Sequence, residues 1–113
     1  MNRDDTALLD IAQCARLIME FQQGVDETVF MSDFKTQSAI MHQLMVMGEA
    51  VKRLSPELRA RYSGIPWSLI AGMRDRLIHA YDVIDMSEVW KTITSDVPNL
   101  LTMIEPLLPP QPK

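Results

Sequence analysis

One eight-residue run in the second half of the 113-residue chain, Arg74-Asp75-Arg76-Leu77-Ile78-His79-Ala80-Tyr81, gathers a guanidinium, a carboxylate, an imidazole and a phenol. These groups suit phosphodiester cleavage in RNA. An imidazole can take the proton from a 2′-hydroxyl or give one to the departing oxygen. A guanidinium can hold the phosphate through two parallel hydrogen bonds and stabilise its growing charge. Neither role needs a metal or a cofactor.

Asp75 stands four residues before His79, about 40° away around a helix, so its carboxylate can pair with the imidazole, fix one tautomer and raise its basicity. Arg74 is five residues from His79, about 140° around and 7.5 Å along a helix. The two side chains therefore do not share a face. They meet only if the helix ends near His79, if Arg74 stretches across, or if a second copy of the chain brings its own motif alongside. Tyr81 adds a phenol that can bind the phosphate or carry a modification. A tyrosine at a helix end can equally pack with its hydroxyl bonded to backbone. Residues of these types are common in helices, and the spacing alone leaves a structural role open.

Other candidates carry less. His42 and Glu49 are two helical turns apart and can share a face, but a metal site needs at least three ligands and none completes this one. Asp75 and His79 are poor metal ligands with Arg74 and Arg76 beside them to repel the ion. The single cysteine, Cys14, lies in an apolar periodic segment and reads as a small core residue. The nine methionines fall mainly at apolar helical positions as core filler, and Trp67 and Trp90 read as core or interface anchors. There is no glycine-rich phosphate loop and no Ser-His-Asp pattern.

The formal net charge of −4 is unevenly spread. Residues 1–50 carry three basic and eight acidic side chains, residues 51–80 six and two, and residues 81–113 two and five. Positive charge is thus concentrated around the motif. That fits an enzyme touching a few phosphates and argues against a long duplex-binding surface.

The elements that position the motif are helical. Hydrophobic residues make up 47% of the chain, glycines number four, and Leu, Met, Ala, Ile and charged helix formers dominate. The spacing predicts a first helix over 4–23, capped by Asp4 or Asp5, with Leu8, Ile11, Ala15, Ile18 and Met19 as its apolar stripe and Gly24 as its stop. A short turn or helical fragment follows over 26–32. The longest helix spans 33–54, with Ile40, Leu44, Met47, Val51 and Leu54 on one face. Gly48 inside it costs roughly 1 kcal/mol relative to alanine, and close packing against another helix would explain it. Ser55-Pro56-Glu57 opens a short helix to Tyr62. The motif helix runs over 67–80 after the Ser63–Pro66 loop. After a connector at 82–85, a last helix starts near Met86 or Ser87 and reaches Leu108, with a bend at Pro98. Residues 1–108 form one domain, and 109–113 a disordered tail. The first residues are polar and no apolar stretch is long enough to span a bilayer. A cytoplasmic protein is expected, with no membrane segment.

Arg74-x4-His79-x-Tyr81 resembles the Arg-x4-His-x-Tyr pattern of the HepT-like toxins in the HEPN superfamily. The flanking segments are similar too: Met47-Gly48-Glu49-Ala50-Val51-Lys52-Arg53-Leu54-Ser55, Ile65-Pro66-Trp67, Ile70-Ala71-Gly72-Met73-Arg74-Asp75, Val89-Trp90 and Asp96-Val97-Pro98. The resemblance covers Asp10 to about Leu101. It implies an all-α, compact up-and-down helical bundle of about five to six helices that forms a homodimer, with two motif copies facing across a cleft. It implies a metal-independent endoribonuclease without cofactor, acting on RNA as the toxin of a type VII toxin–antitoxin pair. Arg74 and His79 take the catalytic roles, with Asp75 in support where the family often has asparagine. Tyr81 is the residue to which a minimal nucleotidyltransferase antitoxin transfers AMP. HEPN domains also serve as non-catalytic nucleotide- or substrate-binding subunits of nucleotidyltransferases, and that is the alternative the resemblance leaves open.

Overall fold

Local hydrogen-bonding groups set the helix starts in the computed structural model, which describes residues 2–110. α1 (Arg3–Gln22) begins at Asn2, whose side chain accepts from the Asp5 amide at 2.7 Å. The cap is therefore Asn2, where Asp4 or Asp5 was expected. Asp4 instead reaches across the fold and accepts from the Ser55 amide at 2.8 Å and hydroxyl at 2.7 Å. Those bonds favour the charged carboxylate and lower the Asp4 pKa. Gly24, at φ +76°, supplies the left-handed turn that ends α1. Asp26 caps the single-turn α2 (Glu27–Phe30), and Asp33 caps α3 (Phe34–Arg53). Ser55 caps α4 (Pro56–Arg61) by accepting from the Leu58 amide, with proline in the first turn where its missing N–H is harmless. The motif helix is α5 (Trp67–His79).

The expected ends of α1, α3, α4 and α5 agree with the structure to within one residue. The last helix differs. α6 (Met86–Lys91) passes into a π-helical turn over Thr92–Asp96, then into α7 (Val97–Ile104) and a 3₁₀ turn over Glu105–Leu107. The bend expected at Pro98 is replaced by this wide turn, which is closed by the Val97 amide on the Thr92 carbonyl. The adjustment falls before the proline because its ring crowds the preceding turn and it has no N–H for the regular ladder. The expected 82–85 connector overlaps a 3₁₀ turn at Tyr81–Val83. Of the tail expected to be disordered, residues 111–113 lie outside the described residues.

The architecture is an all-α bundle, with no strand among the described residues. α3 packs against both α1 and α5, and α1 also packs against α7. The stripe residues Leu8, Ile11, Ala15, Ile18, Ile40, Leu44, Met47, Val51 and Leu54 are all buried. Met19, expected among them, is exposed because it lies one residue, about 100°, past Ile18. The methionines divide: Met41, Met47 and Met73 are core, while Met19 and Met103 face outward. Trp67 is buried, and Trp90 lies half-buried against Phe30 with ring centroids 5.2 Å apart. Cys14 is buried, and desolvation pushes its thiol up to about 11, so it stays protonated. No helix among the described residues is long and apolar enough to cross a membrane.

Candidate active site

α5 turns Trp67, Ile70, Met73 and Leu77 into the core. That leaves Arg74 on the flank facing α3, where Gly48 meets it. A β-carbon on Gly48 would overlap Arg74 Cβ, come within 2.8 Å of Arg74 Cγ and within 3.0 Å of the Ile70 carbonyl oxygen. The close packing expected at Gly48 is present, and the group it admits is the stem of Arg74.

The Arg74 side chain is about four-fifths buried, 21% exposed, and its guanidinium faces two carboxylates. Its NH2 lies 2.8 Å from Glu49 Oε2 and its NH1 donates to Asp75 Oδ1 at 3.0 Å. Its Nε is buried without a hydrogen-bond partner. Asp75 Oδ1 also accepts from Lys52 Nζ at 2.6 Å. Glu49, Arg74, Asp75 and Lys52 thus form one alternating chain of charge between α3 and α5. The hydrogen bonds from Lys52 and then Arg74 lower the Asp75 pKa and keep it ionised.

This network corrects the pairing expected between Asp75 and His79. The carboxylate turns to two cations, Lys52 and Arg74, which offer it charge-assisted hydrogen bonds. His79 is the last residue of α5 and is exposed, and its side chain makes no hydrogen bond or ion pair among the described residues. The helix therefore ends where a close approach to Arg74 would require, yet the two side chains do not share a cavity. Arg74 lies in one of about 390 Å³, lined by His42, Met45, Val46, Glu49, Arg53 and Ile78, and His79 is not in its wall. Tyr81 opens the 3₁₀ turn after α5 and is 57% exposed, with no hydroxyl hydrogen bond among the described residues. In this chain Tyr81 is therefore exposed, where the sequence had left open a packed tyrosine bonded to backbone. Arg76 points away and pairs with Glu88, tying α5 to α6.

Two site residues escaped the reading of the sequence. Beyond their place in the resembling segment from Met47 to Ser55, Glu49 figured as half of an incomplete metal pair and Lys52 as a member of a basic segment, neither as a partner of Arg74 or Asp75. Their signal was available: Gly48, Glu49 and Lys52 fall on neighbouring faces of one helix, and a glycine inside a strong helical pattern marks where another element comes close. Among the described residues no three His, Cys, Asp or Glu side chains are grouped to hold a metal ion.

The chain matches the family profile "Ribonuclease HepT-like" over residues 11–107. It is similar to a "Probable ribonuclease HepT" from Thermococcus cleftensis, at 40% identity over 88% of this chain and 91% of that protein. It is also similar to a "Putative RNase" from Caldanaerobacter subterraneus subsp. tengcongensis, at 36% identity over 87% of this chain and 88% of the relative. A third relative, a "Putative RNase" from Methanocaldococcus jannaschii, is 36% identical over 89% and 84% of the two chains. No solved structure matches the chain.

Proposed function

The chain belongs to the HepT-like ribonuclease family of the HEPN superfamily, and we propose that it is the toxin of a type VII toxin–antitoxin pair, a metal-independent endoribonuclease that uses Arg74 and His79. Arg74 holds the scissile phosphate, which takes the place of Glu49 on the guanidinium. An imidazole accepts the 2′-hydroxyl proton as that oxygen attacks phosphorus. The 5′-oxygen departs with a proton from an imidazolium, leaving a 2′,3′-cyclic phosphate and a 5′-hydroxyl. A base and an acid must act in the same site, and each motif carries one histidine. The active form is therefore a homodimer with two motifs facing across a shared cleft.

The observation that carries this function is the state of His79. It stands exposed at the last residue of α5 without a partner among the described residues, while Arg74 lines a cavity whose wall does not include His79. A second copy supplies what the first lacks. Tyr81 is the control point. Its exposed hydroxyl attacks the α-phosphorus of ATP on a nucleotidyltransferase antitoxin, loses its proton and releases pyrophosphate. The tyrosyl-AMP so formed places a negative charge and a nucleotide-sized obstacle two residues from His79.

The deciding experiment is cleavage of single-stranded RNA by the purified chain in EDTA, beside His79→Ala and Arg74→Ala. The expected result is a cyclic phosphate or its opened product, with both variants folded and slower by about 10²–10⁴. Cleavage that stops in EDTA and returns with magnesium would overturn the mechanism. RNA binding without any cleavage would instead make the chain a nucleotide-binding subunit.

A further inference from the structure

Resting on the ribonuclease function proposed above, we infer that a cavity of about 530 Å³ on the other flank of α5, lined by Arg59, Ser63, Ile65, Ser68, Gly72 and Asp75 among others, is a second RNA subsite. It takes the phosphate and nucleoside adjoining the scissile bond.

The first observation is an unpaired cation. Arg16, Lys52, Arg53, Arg74 and Arg76 all have carboxylate partners. Among the described residues Arg3, Lys35, Arg59, Arg61 and Lys91 are in no ion pair, and of these only Arg59 is half-buried while the other four are exposed. A partly desolvated guanidinium without a counter-charge is a binding position for an anion. Its Nε is buried with no hydrogen-bond partner, and the one other described side-chain atom in that state is Nε of Arg74. The two arginines thus share one unusual condition, and one of them is the phosphate-holding residue of the motif.

The second observation is Gly72. A glycine in the middle of α5 weakens the helix. At Gly48 the close approach of Arg74 explains the residue, but around Gly72 no atom other than its chain neighbours and its own helix backbone stands within 4 Å of where a β-carbon would lie. Packing inside the chain gives no reason for it. The bare backbone opens on the cavity, where a planar base can lie flat against it beside Ile65. The hydroxyls of Ser63 and Ser68 are donors for a ribose or a phosphate oxygen. Asp75 fixes the position: it lines this cavity and accepts from Arg74 NH1 at 3.0 Å, so the subsite opens one carboxylate away from the guanidinium that holds the scissile phosphate.

The test is fluorescence anisotropy with a labelled single-stranded RNA of about a dozen nucleotides, using full-length protein carrying His79→Ala to prevent cleavage, across a salt series. Arg59→Ala should lower affinity about tenfold and flatten the slope of log affinity against log salt by about 0.7, the loss of one single-strand phosphate contact. Arg59→Lys should keep the slope and recover part of the affinity. Gly72→Leu, which fills the cavity from a position with open space, should lower affinity with the slope unchanged. Arg61→Ala removes the same charge from the same short helix and should stay within about twofold. Should Arg59→Ala fail to fold, Arg59→Lys and Gly72→Leu carry the test. Equal losses in Arg59→Ala and Arg61→Ala would show a bulk charge effect and overturn the subsite. So would Arg59 and Gly72 variants that bind as tightly as the parent, in which case the ribonuclease function stands. If the unsubstituted chain neither binds nor cleaves RNA, both fall.

Discussion

Gly48 and Arg74 share one point of the α3–α5 crossing, where the bare Cα of the glycine leaves room for the arginine's Cβ and Cγ. The consequence is chemical as well as structural, because the residue seated there is the one that holds phosphate in the proposed reaction.

Gly48→Ala sets two effects against each other. Alanine gains up to about 1 kcal/mol of helix propensity. The overlap with Arg74 costs about 1–3 kcal/mol, as for other overpacked sites, and exceeds that gain. The variant should unfold at lower urea concentration than wild type. It should also lose RNA cleavage by more than about tenfold, because the guanidinium is moved off its position.

Glu49→Gln keeps a group able to accept from Arg74 but removes the charge that competes with phosphate. RNA affinity at low salt should rise about two- to fivefold, measured by anisotropy, with the gain fading as salt screens the carboxylate in the wild type. A fall in affinity would show that Glu49 acts mainly to orient Arg74.

The rim of the Arg74 cavity carries Val46 and Ile78, 38% and 45% exposed. An interface built there between two copies should bury on the order of 1,600 Å² in total. Sedimentation should find a dimer at micromolar concentration. Ile78→Asp, which places a charge in the apolar rim, should give a folded monomer without ribonuclease activity.

Tyr81→Phe should cleave RNA but escape neutralisation on co-expression with a cognate nucleotidyltransferase. In the wild type, peptide mass spectrometry should find AMP on Tyr81, and activity should fall with its occupancy. A Tyr81→Phe chain neutralised as well as wild type would end the covalent-control proposal.

Asp4 gives the fold a pH dependence of defined sign. Its folded pKa lies below the ordinary 3.8, first because of the Ser55 hydroxyl and then the Ser55 amide. A carboxylate so depressed contributes stability above its unfolded pKa and loses it as pH falls through the folded value. Asp4→Ala should therefore be less stable than wild type near neutrality. The gap between their urea midpoints should narrow as pH falls from the ordinary carboxylate value through the lower folded one.

Much of the helical layout was legible in the sequence. Ser55-Pro56, Asp33 and Gly24 act on backbone groups within a few residues of themselves, so their effects can be read from a short window. The buried stripes follow from the helical period. The residue types from Arg74 to Tyr81 raised the expectation of phosphodiester chemistry, and the angular offset between Arg74 and His79 predicted that one straight helix does not bring their side chains to one face.

Tertiary structure decided which charges meet. Asp75 lies four residues from His79, yet it binds Lys52, which is 23 residues away. Asp4 lies at a helix start, yet it serves Ser55 rather than its own first turn. Glu49 entered the site, and Arg59 was left in no ion pair among the described residues, for the same reason. Helical period and capping depend on short-range geometry that repeats along the chain. Pairing among charges depends on distances between elements, which come into being only when α3 and α5 pack at Gly48.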